Sequence, residues 1–459
     1  MGQYKCPMWT NSNSRLGSLA TSELVCFSPL SDDAPSTYTS RVVDDEIDAL
    51  IGHLPALAFE GAKAVGKTFT ASRRARTVWQ LDDPAILQIA VADVNLVLEG
   101  DRPVLIDEWH RVPAVWDAVR RAVDRKAPAG SYLLTGSARP DNPPTHSGAG
   151  RMVTIRMRPL SLMERGLATP TVSLGQLLEG EIPPIEGSCE CDVRTYVGEI
   201  VASGFPGLRG LTGRALRAQL AGYVERIVDR DFAEDGGRQV RKPDALRRWM
   251  RADAAATSTT ATYDTIRDAA TGRHQDPIAK GTAAGYREVL ERLWILEPVP
   301  AWQPTFSHIS ELAHPEKHQL VDPSLATALL GMDASSLLRG KETGVPIPRD
   351  GTFLGALFES LVTQSVRVYA QAAEASVKHL RTHRGEHEVD LIVEKADGRV
   401  VALEVKLAGT ITDADTRNLR WLKEKLGEDL LDSVVISTGR HAFRRKDNVA
   451  VVPAALLGP

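Results

Sequence analysis

The first sustained hydrophobic pattern begins after Tyr38, where Val42, Val43, Ile47, Leu50 and Ile51 recur at the three-and-four spacing of one helix face. A short apolar run, Leu57-Ala58-Phe59, follows and ends before glycine, which reads as a buried strand entering a turn. Similar runs at Val104-Leu105-Ile106, Tyr132-Leu133-Leu134 and Met152-Val153-Thr154-Ile155 are separated by helical stretches over Pro84 to Leu98 and Pro113 to Val123. Strands alternating with helices predict a parallel, three-layer α/β sheet over residues 38–178. Ahead of it, residues 1–37 are rich in Ser, Thr and Asn without periodicity and are expected to form a disordered tail.

The pattern changes after an acid- and proline-rich stretch, Glu179 to Gly187, which reads as a linker or surface excursion. Amphipathic stretches such as Leu216 to Phe232 and Ala284 to Leu296 then predict a helical domain over 193–345. Within it, Tyr263 to Leu296 followed by Glu297-Pro298-Val299 reads as a winged helix-turn-helix. From residue 350 to 459 the chain returns to a small mixed α/β pattern. A helix is expected over Leu354 to Ala370, strands over Glu388 to Val393 and Val400 to Leu407, a helix over Thr412 to Leu426, and a strand over Ser433 to Ser437.

A length of 459 residues, against roughly 150 per domain, agrees with several domains. Hydrophobic residues at 43% and charged residues at 25% suit buried cores and exclude wholesale disorder. The net charge of −4 removes global basicity as a ground for nucleic-acid binding, so any such contact must be a local patch. Cys6, Cys26, Cys189 and Cys191 are too few and scattered for a disulfide scaffold, and no second Cys/His pair completes a zinc site with the last two. With no uncharged apolar stretch near ~18 residues, a membrane partner is not expected and the cytoplasm is the expected compartment.

The sharpest chemical signal is Gly61-Ala62-Lys63-Ala64-Val65-Gly66-Lys67-Thr68, a complete G-x-x-x-x-G-K-[ST] phosphate loop between a strand and a helix. The glycines let backbone N–H groups wrap phosphates at a helix N-terminus, Lys67 reaches the β- and γ-phosphates, and Thr68 ligates magnesium. ATP and Mg2+ are thus the expected cofactors. The strand Val104-Leu105-Ile106 delivers Asp107 and Glu108 to the edge where parallel sheets bind ligands. Asp107 is expected in the magnesium shell and Glu108 as the base acting on the attacking water. Ser137, at the end of Tyr132-Leu133-Leu134-Thr135-Gly136, either senses the γ-phosphate or simply caps a helix.

These residues, with Gly150-Arg151 before Pro159-Leu160-Ser161, resemble a family of prokaryotic AAA-type ATPases whose ATP-binding domain is joined to a C-terminal domain of unknown function. The resemblance runs from about Tyr38 to Pro453 and departs at His110, where glutamine is usual, and at Lys63-Ala64, where arginines are common. It implies that Arg151 is a finger reaching a neighbouring subunit of a homo-oligomer, the alternative being an ordinary surface arginine. It also implies that Gly204-Phe205-Pro206 touches adenine, although a plain turn explains that tripeptide as well.

The two expected C-terminal strands flank Ala396-Asp397-Gly398, a three-residue hairpin loop that pairs Lys395 with Arg399 and sets Asp390 opposite Glu404. Two opposed carboxylates need a cation between them, and Lys406 projects from the same face. A divalent metal on Asp390, Glu404 and the helical Glu359 would answer the repulsion, with Lys406 activating water. This arrangement resembles restriction-endonuclease-like (PD-(D/E)XK type) nucleases. DNA as a partner would be met by Arg238, Arg241, Lys242, Arg247, Arg248 and Arg251, and by Arg440, Arg444, Arg445 and Lys446. The function expected is ATP binding and hydrolysis coupled to DNA binding or cleavage. The alternative is a nucleotide-dependent switch whose nuclease-like domain is inactive and docks a partner.

Overall fold

The computed structural model describes residues 38–137, 149–180, 182–234, 240–271, 277–303, 315–349, 351–383 and 385–459; the expected tail over 1–37, and Arg238, lie outside them. Five parallel strands form the first sheet: β1 (Ala56–Glu60), β2 (Thr77–Gln80), β3 (Val104–Asp107), β4 (Tyr132–Gly136) and β5 (Val153–Arg156), in the order β2-β3-β4-β1-β5. Successive β1 side chains serve opposite faces. Leu57 and Phe59 join one core with the helix Val43–Ile51, whereas Ala56 and Ala58 join another with Ile106, Val115 and Trp116. Both faces are therefore covered, as the expected three-layer arrangement requires. The sequence pattern did not reveal β2, a half-exposed edge strand in which Thr77 and Trp79 alternate with more exposed neighbours.

Beyond residue 193 the chain is helical, with helices Val193–Ala202, Gly213–Arg226, Pro243–Ala255, Tyr263–Thr271 and Lys280–Arg292. The second of these continues through a π-turn over Ile227–Asp231. After Lys280–Arg292 the backbone makes two isolated antiparallel bridges, Leu296 with Leu320 and Val299 with Lys317. They form a short two-armed ribbon that leads toward the C-terminal sheet.

That second sheet has seven strands. Two short strands precede it in the chain, β6 (Val172–Ser173) and β7 (Gly187–Ser188); β8 (Ser376–Arg381), β9 (Glu388–Glu394), β10 (Val400–Lys406), β11 (Leu430–Ser437), β12 (His441–Arg444) and β13 (Ala450–Pro453) follow. The order is β7-β12-β13-β11-β10-β9-β8, so β7, just past the linker-like stretch, is an edge strand of the C-terminal sheet. The last strand, β14 (Leu457–Gly458), returns to pair with β6. The long helix Phe353–Ala372 covers one face through Val401, Leu403 and Val405, and the helix Arg417–Leu426 covers the other through Val400, Ala402 and Val435. One apolar core includes Phe59, Trp249, Leu290, Phe358 and Val452, and so unites the three sequence regions.

The hairpin between β9 and β10 has the expected register. Lys395 N–H donates to Arg399 O at 3.0 Å, Gly398 takes a left-handed φ of 84°, and the pairs run to Leu391 with Leu403. Asp390 and Glu404 occupy the next positions beyond that last pair.

Candidate functional site

The loop after β1 closes tightly over the sheet edge. A side chain at Gly61 would bring its Cβ within 2.2 Å of Met157 O, and Gly66 takes φ 99°, so both positions require glycine. Lys67, at the start of the helix Lys67–Ser72, is buried and donates from Nζ to Gly61 O at 2.8 Å and Ala62 O at 2.9 Å. Burial pushes its ammonium down to about 8, against the pull of Glu108. Neighbouring elements hold the loop from behind. Arg41 donates to Val65 O at 2.9 Å and to Glu164 at 2.9 Å, Tyr223 donates to Lys63 O at 3.1 Å, and Lys63 pairs with Asp231 at 2.6 Å. The π-turn thus reaches the phosphate loop through Asp231.

Strand order brings the acids to this loop. Because β4 lies between β1 and β3, Thr135 is the register partner of Asp107 and Gly136 that of Glu60. Asp107 Oδ1 accepts from Thr68 Oγ1 at 2.9 Å and from Thr135 Oγ1. Burial raises the Asp107 carboxyl above the ordinary range, with the Thr135 bond working against it. Glu108 takes φ 53°, uncommon outside glycine, and accepts from Ser137 Oγ at 2.9 Å. His110, the position of departure from the resembled family, places Nδ1 3.2 Å from the other Glu108 oxygen.

Glu108, Ser137, Lys63, Ala64, Gly66, Lys67 and Thr68 line one cavity of about 550 Å3. Tyr38, Phe69, Leu160, Pro206 and Gly207 also line it. Pro206 thus lines the same cavity as the phosphate loop. Tyr38 and Phe69 were not singled out from sequence as site residues, because neither belongs to a motif. Thr68 and Asp107 meet as a hydroxyl and a carboxylate of the kind that holds Mg2+, so the residues present fit that ion. Arg151 lies apart from the cavity: its side chain is 46% exposed and pairs with Asp124 at 2.7 Å.

The C-terminal acids have a different neighbour from the one expected. Lys317, whose side chain is 1% exposed, places Nζ 2.9 Å from Glu359, 3.1 Å from Asp390 and 3.2 Å from Glu388. Burial opposes its charge, but Glu359, Asp390 and Glu388 outweigh burial and hold the ammonium well above its ordinary range. Burial also works to raise Asp390, yet Lys317 and Lys406 overcome it and hold that carboxyl low. Its second oxygen accepts from Val405 N–H at 2.9 Å.

Glu404 meets Lys406 at 2.6 Å, and its Oε2 is buried without a hydrogen-bond partner among the described residues. Burial, and next the Asp390 charge, push the Glu404 carboxyl up to about 8. Among the described residues no group of three or more His, Cys, Asp or Glu side chains is arranged to hold a metal ion. The structure thus brings Glu359 and Asp390 together around an ammonium, sets Glu404 against Lys406, and does not offer the expected divalent ion a preformed site. Lys317 carried no sequence signal, since it lies 42 residues from Glu359 and 73 from Asp390.

Some of the foreseen basic residues form ion pairs within the chain. Arg247 meets Glu225, Asp229 and Asp244, Arg444 meets Asp432, and Arg445 meets Asp413 and Asp447. Among the described residues no helix is long and apolar enough to cross a membrane.

Comparison with known proteins agrees with the first site. Residues 54–165 match the family model described as an AAA domain, while 193–336 and 354–457 each match a domain of unknown function, DUF8612 and DUF4143. Two curated relatives, the uncharacterized proteins Rv2008c of Mycobacterium tuberculosis and Mb2031c of Mycobacterium bovis, are each 26% identical over 439 residues, covering 92% of this chain and 86% of theirs. Among solved structures, the Walker-type ATPase PABY2304 of Pyrococcus abyssi aligns at 14% identity and a TM-score of 0.37, over 62% of this chain and 94% of that one. The family match and the phosphate-loop geometry make residues 54–165 an AAA-type, ATP-binding P-loop domain.

Proposed function

Proceeding from an AAA-type ATP-binding domain, we propose that the protein hydrolyses ATP at the edge of its first sheet. The observation that carries this is the convergence of Lys67, Thr68, Glu108 and Ser137 on one cavity, with Asp107 bonded to Thr68 at its edge. Lys67 exchanges its loop carbonyls for phosphate oxygens, which are stronger, charged acceptors. Glu108 takes the proton of the attacking water, and Ser137 with His110 fixes the orientation of its carboxylate. Thr68 and Asp107 would hold Mg2+, which when bound neutralises charge on the phosphates. Tyr38, Phe69 and Pro206 enclose the base. The test is ATP turnover and nucleotide binding by Lys67→Ala: loss of turnover, on the order of 10²–10³-fold or more, with weakened binding is expected. Wild-type behaviour in both would remove the reading.

Residues 350–459 are read as a restriction-endonuclease-like domain, on the strength of the β9–β10 hairpin, the parallel β10–β11 pair and the flanking helices. The ribbon after Lys280–Arg292 supports the winged-helix reading of the middle region. Between DNA cleavage and a nucleotide-dependent switch, Lys317 within the acids favours the switch, with the C-terminal domain docking a partner. A paired assay separates them: ATP turnover without Mg2+- or Mn2+-dependent DNA cleavage is expected, and metal-dependent cleavage lost in Asp390→Asn would restore the nuclease. A homo-oligomer follows if Arg151 acts across subunits.

A further inference from the structure

We infer that Lys317 is the resident cation of the C-terminal acid site: it stands where a nuclease-like centre would hold a divalent ion, and it keeps that ion out. Three observations carry the assignment. The first is geometry, since one ammonium lies within 3.2 Å of carboxylates from two separate elements, Glu359 on the helix Phe353–Ala372 and Glu388 and Asp390 on β9. The second is the absence, among the described residues, of any preformed cluster of metal ligands, although acids of this type are the hard oxygen donors that magnesium and manganese prefer.

The third observation is how firmly the lysine is seated. Its backbone exchanges two hydrogen bonds with Val299, at 2.8 and 2.9 Å, so the residue that carries the ammonium is fixed in the ribbon. The next residue, His318, is fixed by its ring to Ala261 O at 2.7 Å, and Gln319 donates to Ser258 at 2.8 Å. Other charges facing the site are already committed: Arg381 pairs with Glu388 at 3.0 Å and Lys406 with Glu404 at 2.6 Å. His379, held to Pro315 O at 3.0 Å, is pushed down to about 4 by burial and then by Lys317, so it is neutral near pH 7. An ammonium tethered in this way is present at an effective concentration that millimolar free ions do not match. Asp390, one of the two opposed carboxylates, thereby finds its counter-charge within the chain.

The test is Mn2+ binding by the full-length, nucleotide-free protein, read from the free-ion paramagnetic resonance signal and from thermal unfolding in chelator and in Mn2+. For wild type, no saturable binding sensitive to Asp390→Asn and an unchanged unfolding midpoint are expected. Lys317→Met should unfold at lower temperature in chelator, recover on adding Mn2+, and gain a site that the Lys317→Met/Asp390→Asn double variant lacks. A folded Lys317→Met without that gain overturns the inference. Should Lys317→Met fail to fold, the wild-type comparison decides: saturable Mn2+ binding that Asp390→Asn abolishes overturns it. ATP turnover plays no part in these readouts, so the ATPase reading stands or falls separately.

Discussion

Two buried lysines beside paired acids make an instructive contrast. Lys67 donates to two loop carbonyls, faces a cavity of about 550 Å3, and has its ammonium pushed down to about 8 by burial. Lys317 is held by three carboxylates, and they keep it well above the ordinary range. Neutral carbonyls leave the first lysine under-compensated and able to gain from an incoming anion. Full compensation leaves the second nothing to gain. Lysines near acids thus serve opposite ends, and what decides between them is whether the partner is a backbone dipole or a formal charge.

The strongest challenge to this contrast comes from outside the single chain. If the phosphate-loop site is completed by a second subunit, Arg151→Ala lowers turnover on the order of 10³–10⁵-fold while ATP binding persists, and wild-type turnover rises with protein concentration. Asp124→Ala, which removes the partner Arg151 has within its own chain, should leave turnover near normal. Concentration-independent turnover by a strict monomer would confine the site to one chain. Next in size, Glu108→Gln should cut turnover by ~10²–10⁴ yet retain nucleotide, since the amide keeps the shape and loses the base. Stopped-flow binding beside steady-state turnover measures both.

At the second site the effect is on stability. Lys317→Met removes one partner of a buried ion cluster and should cost roughly 3–5 kcal/mol in chemical denaturation without metal. A change within experimental error would mean that the carboxylates are neutralised by protons instead. Glu359, which burial pushes up against the pull of Lys317, is the acid that would take one once the lysine is gone.

The smallest effect is also the most discriminating, because the two regions titrate in opposite senses. The folded value of Lys67, about 8, lies below its unfolded value of ~10.4, so the unfolded chain binds more protons between them and this group's contribution rises with pH in that window. Phosphate restores the charged form, so ATP binding takes up protons and weakens as pH rises through about 8. Calorimetry in two buffers of different ionisation enthalpy detects that uptake. Glu404 runs the other way: its folded value, about 8, exceeds the unfolded ~4.3, so the folded chain binds more protons and its contribution falls as pH rises between them. Glu404→Gln should flatten that decline in a pH series of unfolding midpoints.

The chemistry of the first site was legible in sequence because it is local. A glycine loop, its lysine and its threonine are contiguous, and the strand before Asp107-Glu108 reveals itself by apolar composition. Register at Asp390 and Glu404 was equally legible, since a three-residue turn determines pairing along a hairpin and side chains alternate faces with a period of two. Edge strands β2 and β8 escaped that reading: half of β2 faces solvent, and β8, Ser376–Arg381, mixes Lys, His and Arg among its apolar positions. What stands between the C-terminal acids was beyond it altogether. Repulsion between two carboxylates requires a counter-charge, and pattern alone reveals only that requirement. Which cation meets it, a metal or the ammonium of Lys317, depends on where a ribbon 42 residues before Glu359 packs, and that is settled only when the helical region and the second sheet close on a common core.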